Sequence, residues 1–300
     1  MLTLSKSPLI QASFEVPRKS SGPAEEAFLD AGTISITLQD GADQPILEPG
    51  VGETPLWDKC VVKALFIATA DTQSISSALI ERFPFITNLN WELVEDKDWS
   101  QEWKKHFKPI PCDTGKLWIC PSWTAPPDAD AINLHLDPGL AFGTGSHPTT
   151  MLCLNWLETQ PLKDKLVIDY GCGSGILGIA ALLLGASKVL AIDNDPQALL
   201  ASRDNAQRNG IEDEKLVLLR PDQIPSDIYA DIVVANILAN PLIELAEKIT
   251  SLVKASGALC LSGVLNHQAS QVAAAYHGNF EFEPNNVQED WVQLAGRKIS

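Results

Sequence analysis

The sequence has 300 residues, of which 45% are hydrophobic and 20% charged, so it has enough apolar material for two folded domains and is not a disordered or fibrous chain. Its formal net charge of −16 argues against nucleic acid as the main ligand. It would attract a basic polypeptide, but charge alone favours the simpler interpretation that acidity keeps the protein soluble. Six cysteines without C-x-x-C spacing provide no zinc or redox site. No signal peptide or membrane span is recognised, so we expect a cytoplasmic protein with reduced thiols.

The N-terminal part of the sequence predicts a small α+β domain. Apolar alternation and turn residues indicate four strands, at 9–16, 33–39, 61–68 and 90–94. Helical spacing with terminal glycine or aspartate signals indicates two helices, at 23–31 and 71–82. The resulting order βαββαβ is that of a ferredoxin-like domain, which we assign to residues 1–95.

A connecting segment follows, over residues 96–136. Trp99, Trp103 and Phe107 recur at every fourth position, which predicts one face of a helix. Such an aromatic stripe most often packs on a neighbouring domain, and a hinge or a partner-binding helix is the alternative interpretation. Two short strands complete the segment, at 116–121 and 131–136.

From residue 137 onward, strands alternate with helices, which predicts a parallel, doubly wound α/β sheet. The predicted strands are 166–170, 188–193, 216–219, 231–235, 258–262, 280–283 and 291–295. The predicted helices begin with one near Pro148 and continue at 175–184, 196–209, 241–253 and 266–276. The last two strands have no helix between them, so we expect an antiparallel hairpin at one edge of the sheet.

The strongest motif is the glycine loop V-I-D-Y-G-C-G-S-G after the first of these strands. Gly171, Gly173 and Gly175 permit a sharp turn and a close approach of the backbone to a ligand. With Gly178 the loop also matches the dinucleotide fingerprint G-x-G-x-x-G, so a nicotinamide-dependent oxidoreductase is an alternative. Asp169 argues against that alternative, because its carboxylate would repel a pyrophosphate and attract the ammonium and sulfonium of S-adenosylmethionine.

Polar residues follow the next three strands as well. Asp193 could accept hydrogen bonds from the ribose hydroxyls of either cofactor, or serve a turn. Asp222 could reach an adenine amino group or simply lie in a loop, and that choice stays open. Asn236, in V-V-A-N-I-L-A-N, could orient an amine, hold the methionine part of the cofactor, or form a turn.

The segment D-P-G-L-A-F-G-T-G-S-H-P-T-T precedes the helix near residue 148. Thr144 and Gly145 would lie close to a ligand, since the glycines around them allow tight approach. Thr149 and Thr150 contribute hydroxyls, which could contact a ligand or cap the first turn of the helix. His147 is expected to position or cap, and not to act as a general base.

Together, these motifs closely resemble the bacterial ribosomal protein L-eleven methyltransferases. The resemblance covers essentially the whole chain and includes D-K-D-W-x-x-E-W, L-W-I-C-P-S-W, G-T-G-S-H-P-T-T, D-Y-G-C-G-S-G and A-N-I-L. It implies a class I, Rossmann-like methyltransferase domain over residues 137–300 and an N-terminal domain that holds the substrate protein. It also places Thr150, Gly171, Asp193 and Asn236 on the cofactor-binding positions of the family.

The resemblance implies methyl transfer from S-adenosylmethionine to lysine side chains and the N-terminal amine of ribosomal protein L-eleven. We expect a monomer without direct nucleic-acid or membrane contact, and no metal, because the sulfonium supplies its own leaving group. Asn236 is the predicted catalytic residue, orienting the amine. The remaining predicted cofactor contacts are Asp169, Gly173, Gly175, Thr144 and Gly145. The alternatives are action on another basic protein and a non-catalytic module that binds S-adenosylmethionine.

Overall fold

The computed structural model describes residues 8–42, 44, 55–84, 86, 89–94, 107–137 and 145–300. The chain divides into two compact units, residues 1–103 and 104–300. Trp99 and Trp103 of the predicted aromatic helix lie outside the described residues. Phe107, its last aromatic residue, is described and is not helical, so the predicted helix does not extend to this position.

The first unit has the predicted element order, with one added 3-10 turn before its first helix. Its elements are β1 (Leu9–Pro17), α1 (Ser21–Asp30), β2 (Ser35–Asp40), β3 (Lys59–Ile67), α2 (Thr72–Arg82) and β4 (Asn90–Val94). The four strands form an antiparallel sheet in the order β2-β3-β1-β4. Alternate residues of β1 and β3 are buried, and they form a core with Phe28 of α1 and Leu79 of α2.

The second unit begins with a small three-stranded sheet. Its strands are β5 (Ile110–Pro111), β6 (Leu117–Cys120) and β7 (Ile132–His135), in the order β5-β6-β7. Two of them, β6 and β7, run parallel, and both lie at the predicted positions. Leu117, Ile119 and Leu134 are buried in the same core as the helices on one face of the large sheet.

The large sheet has the order β10-β9-β8-β11-β12-β15-β13, and β14 pairs with β15. Its elements in chain order are α3 (Pro148–Thr159), β8 (Leu166–Tyr170), α4 (Ile176–Leu183), β9 (Lys188–Ile192), α5 (Pro196–Arg208), β10 (Leu216–Leu219), β11 (Ala230–Asn236), α6 (Ala239–Glu244), α7 (Ala246–Leu252), β12 (Val253–Leu265), α8 (Ala269–Ala275), β13 (Phe280–Phe282), β14 (Asn286–Gln288) and β15 (Trp291–Lys298). The strands β8 to β12 are parallel, whereas β15 is antiparallel to β12 and β13. The expected edge hairpin is therefore present.

Helices cover both faces of this sheet. Buried side chains of α3, α4 and α5 form one core with one set of strand residues, such as Val167. Those of α6, α7 and α8 form a second core with the alternate set, such as Ile168. Because helices cover both faces, four of the five residues of β8 are buried, and all of its residues except Asp169 are hydrophobic. This is the doubly wound α/β arrangement expected from the sequence.

Several predicted boundaries between β11 and β15 are wrong. The predicted helix 241–253 is two short helices, because the chain turns at Leu245. β12 starts at Val253, which pairs with Ala230 of β11, and not at the predicted residue 258. The prediction missed this start because the exposed residues 254–256 resemble a loop. The predicted helix 266–276 opens with a 3-10 turn, and the short strand β14 was not predicted.

Candidate functional site

The glycine loop connects the carboxyl end of β8 to the first turn of α4. Three of its residues have positive φ angles, 77° at Gly171, 53° at Gly173 and 79° at Gly175. These angles favour glycine, since a side chain would crowd the backbone. A Cβ atom at Gly171 would also collide with Cγ2 of Ile237, which follows Asn236. The loop thus needs glycine for its turn and for contact with the neighbouring strand end.

The loop is held against the end of β9. The N–H groups of Gly171 and Cys172 donate to the Ile192 carbonyl, at 2.7 and 3.0 Å. The Asp193 carboxylate accepts from the N–H of Gly173 at 2.9 Å and from the N–H of Asp195 at 3.0 Å. Each carboxylate oxygen has a further lone pair, so Asp193 can bind ligand hydroxyls while it orders the loop.

Helix α5 supports the loop from the other side, which the sequence analysis did not predict. The Ser202 hydroxyl donates to the Gly173 carbonyl at 2.9 Å, and the Asn205 amide donates to the Ser174 carbonyl at 2.8 Å. Both side chains are buried. The signal that could have identified them is their spacing, since two small polar residues three positions apart lie on the sheet-facing side of a helix.

Asp169 is a buried carboxylate whose hydrogen bonding is incomplete. It is 1% exposed, and its Oδ2 accepts from the N–H of Gly178 at 2.9 Å. Its Oδ1 is buried without a hydrogen-bond partner among the described residues. Burial raises the pKa of Asp169 to about 7; the Gly178 hydrogen bond opposes this rise, and the Asp193 carboxylate adds to it. A cationic ligand group would supply the missing partner.

Asn236 ends β11, beside Ser262 of β12. Its Nδ2 donates to the hydroxyl of Thr150 at 3.3 Å, and Thr150 is fully buried in the first turn of α3. The Oδ1 of Asn236 is buried and has no partner in the part of the chain that the structure describes. An unsatisfied buried acceptor of this kind needs a physical explanation, and a donor on a bound ligand provides one.

The first turn of α3 is capped by a histidine. The Nδ1 atom of His147 accepts from the N–H of Thr149 at 3.3 Å and lies 2.8 Å from the Thr149 hydroxyl. Its ring packs edge-on against Trp291, with centroids 5.1 Å apart. Burial lowers the pKa of His147, which favours the neutral ring that can accept these hydrogen bonds. This geometry is that of a cap.

The predicted site residues therefore form two adjoining groups. Asp169, the three loop glycines and Asp193 surround the turn after β8, while Thr150 and Asn236 form a hydrogen-bonded pair. Gly145 has a φ of 87°, and a Cβ there would lie 2.9 Å from Ile119, so packing alone requires glycine. Thr144 lies outside the described residues.

The end of β12 contributes two residues that the sequence analysis missed. The Ser262 hydroxyl donates to the Thr149 carbonyl at 3.0 Å. Gly263 has a φ of 83°, and a Cβ there would collide with the carbonyl oxygen of Ile237. Ile237 is thus enclosed by Gly171 on one side and Gly263 on the other. Asp222, a possible adenine contact, is exposed and forms an ion pair with Arg220 at 3.4 Å.

Two other kinds of site find no support in the described residues. They contain no cluster of three or more His, Cys, Asp or Glu side chains that could hold a metal ion. Within the same ranges, no helix combines the length and the apolar character needed to cross a bilayer.

Comparison with known proteins identifies the family. The profile of the ribosomal protein L11 methyltransferase family matches residues 8–299. The ribosomal protein L11 methyltransferase of Cellvibrio japonicus is 50% identical over 292 residues, which cover 97% of this chain and 99% of that protein. The ribosomal protein L11 methyltransferase of Pseudomonas putida (strain W619) is 47% identical over 292 residues, which cover 97% of this chain and 99% of that protein.

A solved structure supports the same assignment. The crystal structure of the ribosomal protein L11 methylase from Lactobacillus delbrueckii subsp. bulgaricus is 34% identical to this chain, with a TM-score of 0.57. It covers 65% of this chain and 100% of that chain. The α/β methyltransferase fold and S-adenosylmethionine as cofactor are thereby confirmed, and the nicotinamide alternative is excluded. The chain belongs to the ribosomal protein L11 methyltransferase family.

Proposed function

We propose that this protein transfers methyl groups from S-adenosylmethionine to lysine side-chain amines and to the N-terminal amine of ribosomal protein L11. The observation that carries the proposal is the incomplete hydrogen bonding of the Asn236 side-chain amide. Its Nδ2 is held by Thr150, while its buried Oδ1 lacks a partner in the described structure and can accept from an amine. Such an amide leaves the amine lone pair free to react.

The first group of site residues fits the cofactor. Bound S-adenosylmethionine supplies a methyl group on a sulfonium: the amine nitrogen forms the new N–C bond, the C–S bond breaks, and its electron pair stays on the sulfur as a neutral thioether. The Oδ1 of Asp169, which has no partner among the described residues, fits a cation, and the Asp193 carboxylate fits hydroxyl donors. The turn at Gly171 lets the backbone approach closely.

The second group fits an amine acceptor. Asn236 accepts an N–H of the amine and directs its lone pair, so that transfer depends on orientation. The amine must first be neutral, and a free lysine has a pKa of about 10.4. Burial beside a cation lowers that pKa, so the departing proton can reach solvent without a dedicated base. His147 is engaged as a helix cap and is not required for this step.

We assign substrate recognition to a ferredoxin-like domain over residues 1–95, joined by a connecting segment over 96–136 to the catalytic domain over 137–300. The sheet order β2-β3-β1-β4 supports the first assignment. The net charge of −16 supports a basic polypeptide as substrate. A monomeric state, a cytoplasmic location and the absence of direct nucleic-acid contact remain predictions.

The decisive experiment is mass spectrometry of purified ribosomal protein L11 after incubation with this protein and S-adenosylmethionine. Mass gains in methyl steps that map to lysines and to the N-terminus support the proposal. If the protein binds the cofactor but L11 gains no mass, the substrate is wrong, and another basic protein becomes the better candidate. If no protein substrate is methylated, the alternative of a non-catalytic module gains support.

Asn236→Ala tests the proposed role of the amide. We expect cofactor affinity to change less than methyl transfer, which should fall by about 100-fold because the amine is no longer oriented. Calorimetry with S-adenosylmethionine and single-turnover methylation of L11 separate the two effects. Normal turnover in this variant would remove Asn236 from the mechanism.

A further inference from the structure

Ser262 is a buried polar residue next to the proposed amine site. It lies on β12 directly beside Asn236 of β11, and its side chain is fully buried. Its hydroxyl donates to the Thr149 carbonyl in the first turn of α3, at 3.0 Å. The hydrogen bond thus joins the end of a central strand to the helix that carries Thr150.

The Thr149 carbonyl does not need this hydrogen bond to be satisfied. Inside an α-helix, each carbonyl accepts the N–H four residues further on, so the serine supplies a second donor to the same oxygen. An alanine at position 262 would leave no buried polar group unsatisfied, and the net stability contribution of one such hydrogen bond is modest. What the hydroxyl adds is a fixed position of the helix turn relative to the strand end.

The position of the first turn of α3 determines how the side-chain amide of Asn236 is oriented. Thr149 and Thr150 are consecutive, so the contact that fixes the carbonyl of one also fixes the hydroxyl of the other. The Thr150 hydroxyl accepts from Nδ2 of Asn236 at 3.3 Å. This selects the amide orientation in which Oδ1, buried and without a partner in the described ranges, is left for the amine. Ser262, the threonine pair and Asn236 form a closed loop across two paired strands and one helix.

We infer that Ser262 is a positioning residue for methyl transfer: through the Thr149 carbonyl it holds Thr150 where that hydroxyl orients the Asn236 amide toward the amine. This inference rests on the proposed function, because it assigns to Ser262 an effect on the amine step. The Ser262 side chain is fully buried and its hydroxyl is bonded to the Thr149 carbonyl, so we expect its removal to lower the rate of transfer more than the cofactor affinity.

The test compares Ser262→Ala with Ser262→Cys, whose thiol is a weaker donor in nearly the same volume. Tyr276→Phe is the matched control, because it removes another fully buried hydroxyl that donates to a backbone carbonyl, that of Leu242, at 2.9 Å. For each variant we measure kcat and KM with L11, the Kd for S-adenosylmethionine, and Tm.

We expect kcat to fall about tenfold in Ser262→Ala and less in Ser262→Cys, since small displacements of a reacting group are costly. KM and the cofactor Kd should stay within about twofold, well below the size of that loss. Tyr276→Phe should lower Tm to a similar extent without changing kcat. A kcat loss in Ser262→Ala that is no larger than in the control overturns the inference, as does an equal loss of cofactor affinity.

A double-mutant cycle separates positioning from general loosening of the fold. If Ser262 acts through Thr150, then Ser262→Ala adds little to the kcat loss already caused by Thr150→Val. Additive losses would mean that Ser262 acts independently of the amide, and the inference would be wrong. Wild-type protein that fails to methylate L11 at all contradicts the proposed function instead, so the two failures are distinguishable.

Discussion

Two aspartates at opposite ends of the parallel strands of the large sheet show how position changes the role of a carboxylate. Asp169, near the carboxyl end of β8, lacks a cationic partner among the described residues, and burial raises its pKa to about 7. Asp231, near the amino end of β11, is also partly desolvated, but hydrogen bonds from Lys254, the Leu166 N–H and Lys165 lower its pKa.

This difference in hydrogen bonding distinguishes the carboxyl end of the strands, where we propose that a ligand binds, from the amino end, where the charges stabilise the fold. Asp231 is satisfied within the fold: Lys165 lies 3.3 Å away, Lys254 forms a second ion pair, and the Leu166 N–H donates at 3.0 Å. Asp169 is satisfied only in part, so a ligand can provide what the fold does not. Incomplete satisfaction of a buried charge is therefore the better indicator of a ligand site, since a complete ion pair serves the fold alone.

The largest effect that would sharpen this contrast is expected for Asp169→Asn. The amide keeps the shape and can still accept from Gly178, but it loses the charge that attracts a cation. We expect the affinity for S-adenosylmethionine at pH 8 to fall by roughly 10- to 100-fold, the range for a hydrogen bond to a charged group. Isothermal titration calorimetry measures it. The free variant should be no less stable than the wild type, and undiminished affinity would contradict the assignment of Asp169.

A smaller effect is expected from pH alone. The pKa of Asp169 in the folded protein, about 7, lies above its ordinary value, so below pH 7 a cationic ligand must displace a proton. Affinity for S-adenosylmethionine should rise with pH, by at most about tenfold per unit, and level off above pH 7. The stability of the ligand-free protein should show the opposite trend, falling as pH rises from about 4 toward 7. Asp169→Asn should abolish both slopes; slopes that persist in this variant would assign them to another group.

The smallest effect is expected at the amino end of the strands, for Asp231→Asn. Its two lysine partners are 41% and 47% exposed, so solvent screens both ion pairs. We expect a loss of about 1 kcal/mol in the free energy of unfolding, measured by urea denaturation, because the amide can still accept from Leu166. Cofactor affinity and kcat should match those of the wild type. A loss of affinity would show that the two ends of the strands are not independent.

The sequence predicted those parts of the fold that depend on local signals. The helix predicted at 196–209 is α5, in which Asp195 caps the first turn by accepting from the Gln197 N–H and Gly210 follows the end. The glycine loop and Asp169 were likewise recognisable, because a carboxylate before a glycine turn is unusual at a phosphate site. These features need only a short window of sequence.

Ser262 and the start of β12 illustrate what the sequence does not contain. The role of Ser262 depends on the register of β12 against β11 and on the packing of α3 over both, and neither follows from nearby residues. Residues 254–256 are exposed and resemble a loop, yet they belong to β12 because Val253 before them and Ala258 after them both pair with β11. Where long-range pairing decides, local propensity is a weak guide.

Ile237 has a consequence for how this protein can change over evolutionary time. Its side chain occupies the space that a Cβ at Gly171 would need, and its backbone occupies the space that a Cβ at Gly263 would need. It therefore lies between the turn that we propose binds the methyl donor and the amide that we propose binds the acceptor. We expect a substitution at any of the three positions to alter that separation unless a second position changes with it. The separation between the proposed donor and acceptor sites thus depends on these three residues together.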